Sequence, residues 1–500
     1  MPWERKPELA EGETVERLSA ALQSLGPAYI KLGQVLATRP DIIGIDAAED
    51  LQSLQDKMPP FSDGEARRRI EAELGETIDF LFESLGPPIA AASIAQVHRG
   101  KIRADAGHNR HAGPLAETDF ETPKGEPLSE VAVKVLRPGI KEQFDRDLDS
   151  FFFAARSVEK LSAASKRLRP VELVQTLADS VKLEMDLRVE AAAASELAGN
   201  TSDDDAFRIP RIDWARTSES VLTIEWVDGI PISQKEQLAD AGTDLSDLAI
   251  RVIQCFLRQS LRDGFFHADM HQGNLLVDRD GNLVAIDFGI MGRLDAQSRR
   301  FLAETLFGFL TRDYHRVADV HFEAGFVPKH QSRDAFAQAL RAIGEPIFGR
   351  NAQDISMARL LAQLFQTTEN FDMKLQPQLV LLQKTMMVVE GVARKLDPNH
   401  NIWEASRPVI EEWMERQLGP EGRIASAAEN AVVMGRVLTR LPQFFDSVEQ
   451  AAAHATQHGL RLDAETAREI GEAEARASRS GRMALWIAAV ALVVIAISVI

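Results

Sequence analysis

The run His267-Ala268-Asp269-Met270-His271-Gln272-Gly273-Asn274, followed thirteen residues after Asn274 by Asp287-Phe288-Gly289, constrains this chain more than any other feature. Phosphoryl transfer needs an Asp near the attacking oxygen, an Asn five residues on that reaches a metal ion, and a second metal-binding Asp beyond a short hairpin. All three spacings are met. Leu275, Leu276 and Val277, then Leu283, Val284 and Ile286, supply two short apolar strands that would aim Asn274 and Asp287 at one metal pair. Magnesium is the natural ion, because it is hard and takes carboxylate, amide and phosphate oxygens together.

A site of this kind also needs a strand lysine for the α/β-phosphates and a helical glutamate to orient it. Val131-Ala132-Val133-Lys134 has the strand pattern, and Glu190 lies in a helical stretch between that strand and the next one, Val221 to Trp226. Alone, either residue would read as a solvated surface charge; their order before the catalytic run assigns them. Glu225, Trp226 and Val227, at the end of the later strand, are then the hinge whose backbone meets adenine. The phosphate loop departs from the usual G-x-G-x-x-G-x-V. After Ile89 it reads Ala90-Ala91-Ala92-Ser93-Ile94-Ala95-Gln96-Val97, with Ala at each Gly position. Glycine serves there because backbone N–H groups approach phosphate closely and use positive φ, which Ala reaches only at a cost, so this loop should grip a triphosphate differently.

With 500 residues, 45% hydrophobic and 26% charged, the chain can bury the core of two or three domains. Lys and Arg number 57 against 75 Asp and Glu, a net charge of −18, which argues against sequence-independent binding to nucleic acid. The single Cys255 excludes an internal disulfide and cysteine-rich zinc. The first twenty residues carry five glutamates and no apolar run, so they are no secretory or transit peptide. Met483 to Ile500 is eighteen residues without a charge, at the short edge of what spans a bilayer, with Trp486 near one end. Arg476, Arg479 and Arg482 precede it and no charge follows, so the positive-inside rule keeps the body cytoplasmic.

Along the chain, residues from Thr14 to Leu36 read as helix restarted at Gly26-Pro27, with Lys31 and Gln34 on one face. Gly86-Pro87-Pro88 reads as a domain boundary. Ile94 to Ile102 and Glu130 to Leu136 read as a hairpin joined by a long exposed loop, 104–128, and Val171 to Ala198 reads as one helix. Beyond Asp228-Gly229 the pattern is mostly helical, apart from a strand-rich patch from Asn274 to Ile286, and no repeat of fixed period is present.

Taken together, Lys31-Leu32-Gly33-Gln34, the Ala-rich loop, Val131-Ala132-Val133-Lys134, Glu184-Met185-Asp186, His267-Ala268-Asp269 and Asp287-Phe288-Gly289 resemble the UbiB family, atypical protein-kinase-like proteins required for ubiquinone biosynthesis. The resemblance runs from about Leu18 to Trp403. It implies an α+β, two-lobed protein-kinase-like fold with an N-terminal helical extension (1–85), a small lobe (86–229), a large lobe (230–400), a helical region (401–482) and a transmembrane anchor (483–500). It implies ATP and Mg2+ as cofactors, Asp269 as the catalytic carboxylate, Asn274 and Asp287 as metal ligands, and Lys134 with Glu190 as the phosphate-orienting pair. Lys31 and Gln34 would lie over the active site as regulatory residues, with Glu184 as partner for Lys31. The implied activity is a membrane-anchored kinase or ATPase of the bacterial inner membrane that supports aerobic ubiquinone biosynthesis at the ring-hydroxylation stage. Membrane lipid, polyprenylphenol precursors and the biosynthetic enzymes are the implied partners, and the oligomeric state stays open. The chain departs from the family in having Gln272 where Pro is usual, a longer loop 104–128, no usual helical leader, and one terminal span where relatives often have two.

Two other classes compete. A small-molecule phosphotransferase shares the H-x-D-x-x-x-x-N run but gives no reason for the Lys-x-Gly-Gln motif, and a nucleotide- and lipid-binding scaffold would hold nucleotide without turnover. Direct hydroxylation would need flavin or a redox metal, yet no G-x-G-x-x-G follows a strand and no facial triad is evident.

Overall fold

Val131, Val133 and Val135 alternate with Ala132 and Lys134, the period of a strand with two different faces. In the computed structural model these residues form β3 (Glu130–Leu136), third in the antiparallel order β1-β2-β3-β5, with β1 at Phe82–Ala91, β2 at Ala95–Ile102 and β5 at Val221–Glu225. The structure describes residues 11–37, 58–103, 128–161, 170–348 and 377–418, with positions 43, 47, 50, 51, 367 and 370–373 between them. Most of the loop 104–128 and the whole apolar segment Met483–Ile500 lie outside the described residues. Among the described residues no helix is long and apolar enough to cross a membrane. Met1–Glu415 form one compact unit and Arg416–Ile500 a second, and the architecture here is that of the first.

The two faces of β3 go to two cores. Val131, Val133 and Val135 pack with Ile70 and Leu74 of the helix Asp63–Leu74. Leu136, with Leu222 and Ile224 of β5, packs against Phe144, Leu177, Val181, Leu187 and Ala191 from three helices, Ile140–Leu161, Pro170–Glu184 and Leu187–Asn200. Ala28 of the helix Pro27–Ala37 belongs to this second core, so the N-terminal extension is built into the small lobe. That helix follows Gly26, whose φ of +114° suits glycine, and opens with Pro27, as the sequence leads one to expect.

Two expectations are corrected. Gly86-Pro87-Pro88 is no boundary: β1 runs through it, absorbing the prolines with register shifts between Leu85 and Pro88 and between Pro88 and Ala90. An edge strand tolerates proline because one row of its N–H groups needs no partner. Val171 to Ala198 is two helices, because Asp186 accepts a hydrogen bond from Arg188 N–H and caps a new helix at Leu187.

In the large lobe the helix Leu245–Arg258 runs into a π-helical turn, Gln259–Asp263, that ends at Gly264 with φ +68°. Short strands follow: β7 (Phe265–His267) pairs with β10 (Met291–Arg293), and β8 (Leu275–Asp278) pairs with β9 (Leu283–Ala285), which is parallel to β4 (Phe207–Arg208). β6 (Gly229–Pro231) completes the second sheet. The helices Ala296–Thr311, Pro377–Leu396 and Ile402–Leu418 contribute to one core with the Leu245–Arg258 helix and Phe265, Phe266 and Phe288.

Gly292 lies opposite Phe266 in the β7–β10 pair, and a Cβ there would come 2.1 Å from the ring's Cζ. Phe266 is fully buried, so the ring has no free space to take. Gly292→Ala is therefore expected to cost about 1–3 kcal/mol of overpacking. Urea denaturation checks this, and an unchanged midpoint would show that β7 is not pinned there.

Candidate functional site

Lys134 leaves β3 on the face opposite Val133 and Val135. Its Nζ donates to both carboxylate oxygens of Glu190, at 2.7 and 2.9 Å, and to Asp287 Oδ2 at 3.2 Å. Glu190 is in the first turn of the helix that Asp186 caps, so the cap sets which residue meets the lysine. Asp287 follows β9, and its Oδ1 accepts the Gly289 N–H at 3.0 Å. Phe288 N–H lies 3.4 Å from Glu190 Oε1, a further link between the small-lobe helix and this segment.

Burial opposes the charge on Lys134, but Asp287 and Glu190 outweigh it and its pKa is raised. The protein around Asp287 likewise opposes its charge, and Lys134, the Gly289 N–H and His267 more than offset this, so its pKa is lowered. Burial dominates at Glu190 and raises its pKa despite Lys134. Asp287 keeps 43% of its side chain exposed and faces the cleft as an anion.

The catalytic run is held from behind. Gln259, fully buried in the π turn, accepts the His267 N–H through Oε1 at 3.0 Å and places Nε2 3.1 Å from Cys255 Sγ. His267 Nδ1 accepts the Asp269 N–H at 3.1 Å, and its ring lies 5.8 Å from that of Phe288. Burial lowers the His267 pKa. Thr385, in the helix Pro377–Leu396, approaches the Ala268 carbonyl to 3.0 Å through its hydroxyl. Asn274 Nδ2 donates to the Asp269 carbonyl at 3.1 Å, which leaves its amide oxygen for other work. His271 Nδ1 accepts the Gly273 N–H at 2.9 Å, while its Nε2 stands 3.6 Å from Asp269 Oδ2. A Cβ at Gly273 would lie 2.9 Å from His271 Cε1 and would push that exposed ring aside.

The Ala-rich segment is a tight β1–β2 turn. Ala90 and Ala91 end β1 opposite Val97 and Gln96, and Ala92 N–H donates to the Ala95 carbonyl at 2.8 Å. Ala90 and Val97 share the Lys134 face, because Val97 is also opposite Lys134. Gln96 is turned to the other face, where its Oε1 accepts the Phe61 N–H at 2.9 Å and its amide meets His98, so its side chain does not face the cleft. Ile94 is packed into the second small-lobe core and Ile89 is half exposed on the edge strand. Ser93 is fully buried, and its Oγ has no hydrogen-bond partner among the described residues.

At the strand end, the Glu225 carboxylate is bound by Arg208 and Arg211 and its N–H donates to the Arg211 carbonyl at 2.8 Å. Trp226 N–H donates to the Glu130 carbonyl at 3.0 Å, and Val227 is buried. Lys31 pairs with Glu184 at 2.7 Å, with 9% and 11% of the two side chains exposed. Gln34 sits one turn further along the same helix. Gln259, Thr385 and Arg137, which binds the Ala92 carbonyl, are not singled out by the sequence patterns; each acts through the backbone of another segment.

This is the two-lobed arrangement of a kinase-like protein, with a strand lysine, a helical glutamate and an H-x-D…N…D-F-G large lobe. A family model described as the ABC1 atypical kinase-like domain matches residues 53–108 and 121–321, and one described as the UbiB helical domain matches 340–401. The chain is 41% identical over 432 residues to the probable protein kinase UbiB of Marinobacter nauticus, covering 85% of this chain and 74% of that protein. This chain belongs to the UbiB family of ABC1 atypical kinase-like proteins. The fold is also that of the Mycobacterium tuberculosis protein Rv3197, solved with erythromycin, at a TM-score of 0.50 and 23% identity over 82% of this chain and 97% of that one.

Removing one partner of a buried ion pair weakens the hold on the other charge, at a cost of up to about 3–5 kcal/mol, whereas replacing both with apolar groups is often near neutral. Glu184→Leu alone is expected to destabilise the small lobe by up to that order, and Lys31→Met with Glu184→Leu to recover most of the loss. A denaturation double-mutant cycle checks it, and additive losses would rule the pairing out.

Proposed function

We propose that this protein is a membrane-anchored atypical kinase or ATPase that binds Mg-ATP and supports aerobic ubiquinone biosynthesis at the ring-hydroxylation stage. The observation that carries the reading is Lys134 Nζ held between Glu190 and Asp287, a cation poised at the cleft between a helix of one lobe and the metal-binding position of the other. The name of the M. nauticus relative supports the pathway.

The donor chemistry fits a hard cation: Asp287 offers a carboxylate and Asn274 an amide oxygen, and the Asn274 NH2 is held by the Asp269 carbonyl at 3.1 Å. Among the described residues no group of three or more His, Cys, Asp and Glu is placed to hold a metal alone, so phosphate oxygens and water would complete the shell, as magnesium prefers. When bound through Asn274 and Asp287, magnesium supplies neutralisation of the charge on the β- and γ-phosphates. Lys134 holds the α/β-phosphates, with Glu190 fixing its direction. Asp269 accepts the proton from the attacking hydroxyl or water. Backbone groups of Glu225 and Val227 meet adenine, and the turn from Ile89 to Val97 covers the phosphates. Lys31, Gln34 and Glu184 regulate access to the site.

The segment Met483–Ile500 anchors the chain in the inner membrane with its body in the cytoplasm, next to polyprenylphenol precursors and the enzymes that modify them. The protein serves the hydroxylation step without carrying it out.

Magnesium-dependent ATP hydrolysis by the full chain, with and without anionic liposomes, tests the reading. Turnover is expected to rise with liposomes and to vanish in Asp287→Asn. Asp269→Asn is expected to keep nucleotide affinity while kcat falls roughly 10²–10⁴-fold, the range for loss of a proton acceptor. Equal background in the wild type and both variants would leave a nucleotide-binding scaffold as the better account.

A further inference from the structure

Arg137 is the first residue after β3, and its N–H donates to the Ile94 carbonyl at 2.8 Å, extending the β2–β3 ladder into the turn. Its guanidinium makes a fork. Nη2 donates to the Ala92 carbonyl at 2.9 Å and to the Pro59 carbonyl at 2.8 Å, and Nε reaches the Ala92 carbonyl at 3.2 Å. The Phe61 ring lies beneath it, 5.6 Å away. The same strap, Met58 to Phe61, donates its Met58 N–H to the Ala91 carbonyl at 3.4 Å and its Phe61 N–H to Gln96.

Side chains alternate along a strand. Lys134 and Leu136 are on the cleft side of β3, while Val133 and Val135 pack against the helix Asp63–Leu74. Arg137 follows in the second series, on the face away from the cleft, together with the strap. The Ala92 carbonyl is therefore drawn away from the cleft. In a trans peptide the C=O and the next N–H point in opposite directions, so the fork that fixes the Ala92 carbonyl also fixes the direction of the Ser93 N–H. Glycine-rich loops reach such orientations through free φ; an alanine turn needs them imposed from outside.

We propose that Arg137 is the positioning residue of the nucleotide loop: its fork on the Ala92 and Pro59 carbonyls fixes the backbone of the alanine turn that covers the phosphates of the bound nucleotide. The inference rests on the nucleotide reading given above and adds the device that replaces glycine.

The test is calorimetric titration of the full-length chain with Mg-ATP and, separately, with adenosine, which carries the base but no phosphate. Arg137→Met is expected to weaken ATP roughly tenfold, the worth of a hydrogen bond to a charged group, while adenosine affinity stays within twofold. Arg137→Lys, which keeps the charge without the fork, is expected to weaken ATP as well, and it carries the test alone if Arg137→Met does not fold. An unchanged ATP-to-adenosine affinity ratio in both variants overturns the proposal. So does wild-type ATP affinity in Arg137→Lys, which would reduce the effect to long-range charge. Failure of the wild type to bind ATP at all overturns the nucleotide reading and this inference with it.

Discussion

Everything at the cleft depends on one ammonium group. Lys134 Nζ is held by two carboxylates that come from different parts of the chain, Glu190 at 2.7 Å and Asp287 at 3.2 Å. Two carboxylates brought this close repel one another unless a cation stands between them. With Lys134 in place, the small lobe's sheet, the helix Leu187–Asn200 and the segment after β9 acquire a common point, and the raised pKa of the lysine and lowered pKa of Asp287 express that mutual dependence. The Phe288 N–H at Glu190 adds a backbone link along the same line.

The break at Met185-Asp186 gives that point a second neighbour. Glu184 closes one helix and pairs with Lys31, while Glu190 opens the next and pairs with Lys134. Two buried ion pairs six residues apart thus bracket one capped turn. The N-terminal extension is tied to the cleft through that turn as well as through Ala28 in the shared core.

How far this could be read in advance follows from the kind of interaction. Asn274 lies five residues after Asp269 and Asp287 thirteen after Asn274, spacings set by local backbone geometry, so the large-lobe run was legible residue by residue. Strand β3 was legible because Val and Lys alternate on it. The helix break was not, because Leu183 to Val189 contains no Gly or Pro and Asp186 acts through a cap that helix-compatible neighbours conceal. Gly86-Pro87-Pro88 misled for the opposite reason: its residues break most structure, yet an edge position absorbs them. The Lys31–Glu184 pairing could be anticipated only through family resemblance, since 153 residues separate its members and neither sits in a local pattern. Thr385, Gln259 and Arg137 escaped notice because each binds main-chain atoms, and any residue type offers those.

The prolines in β1 have a consequence beyond tolerance. A sheet's outermost strand presents unpaired N–H and C=O groups to any extended chain that drifts past, and exposed edges of this sort template aggregation. Pro87 and Pro88 lie in this strand, where proline has no N–H to offer a passing chain, and the register shifts on either side put the rest of the row out of line. In a cell crowded with nascent polypeptide, the edge beside the alanine turn is a poor template, so the turn keeps β2 as its neighbour and no stray strand competes for its place.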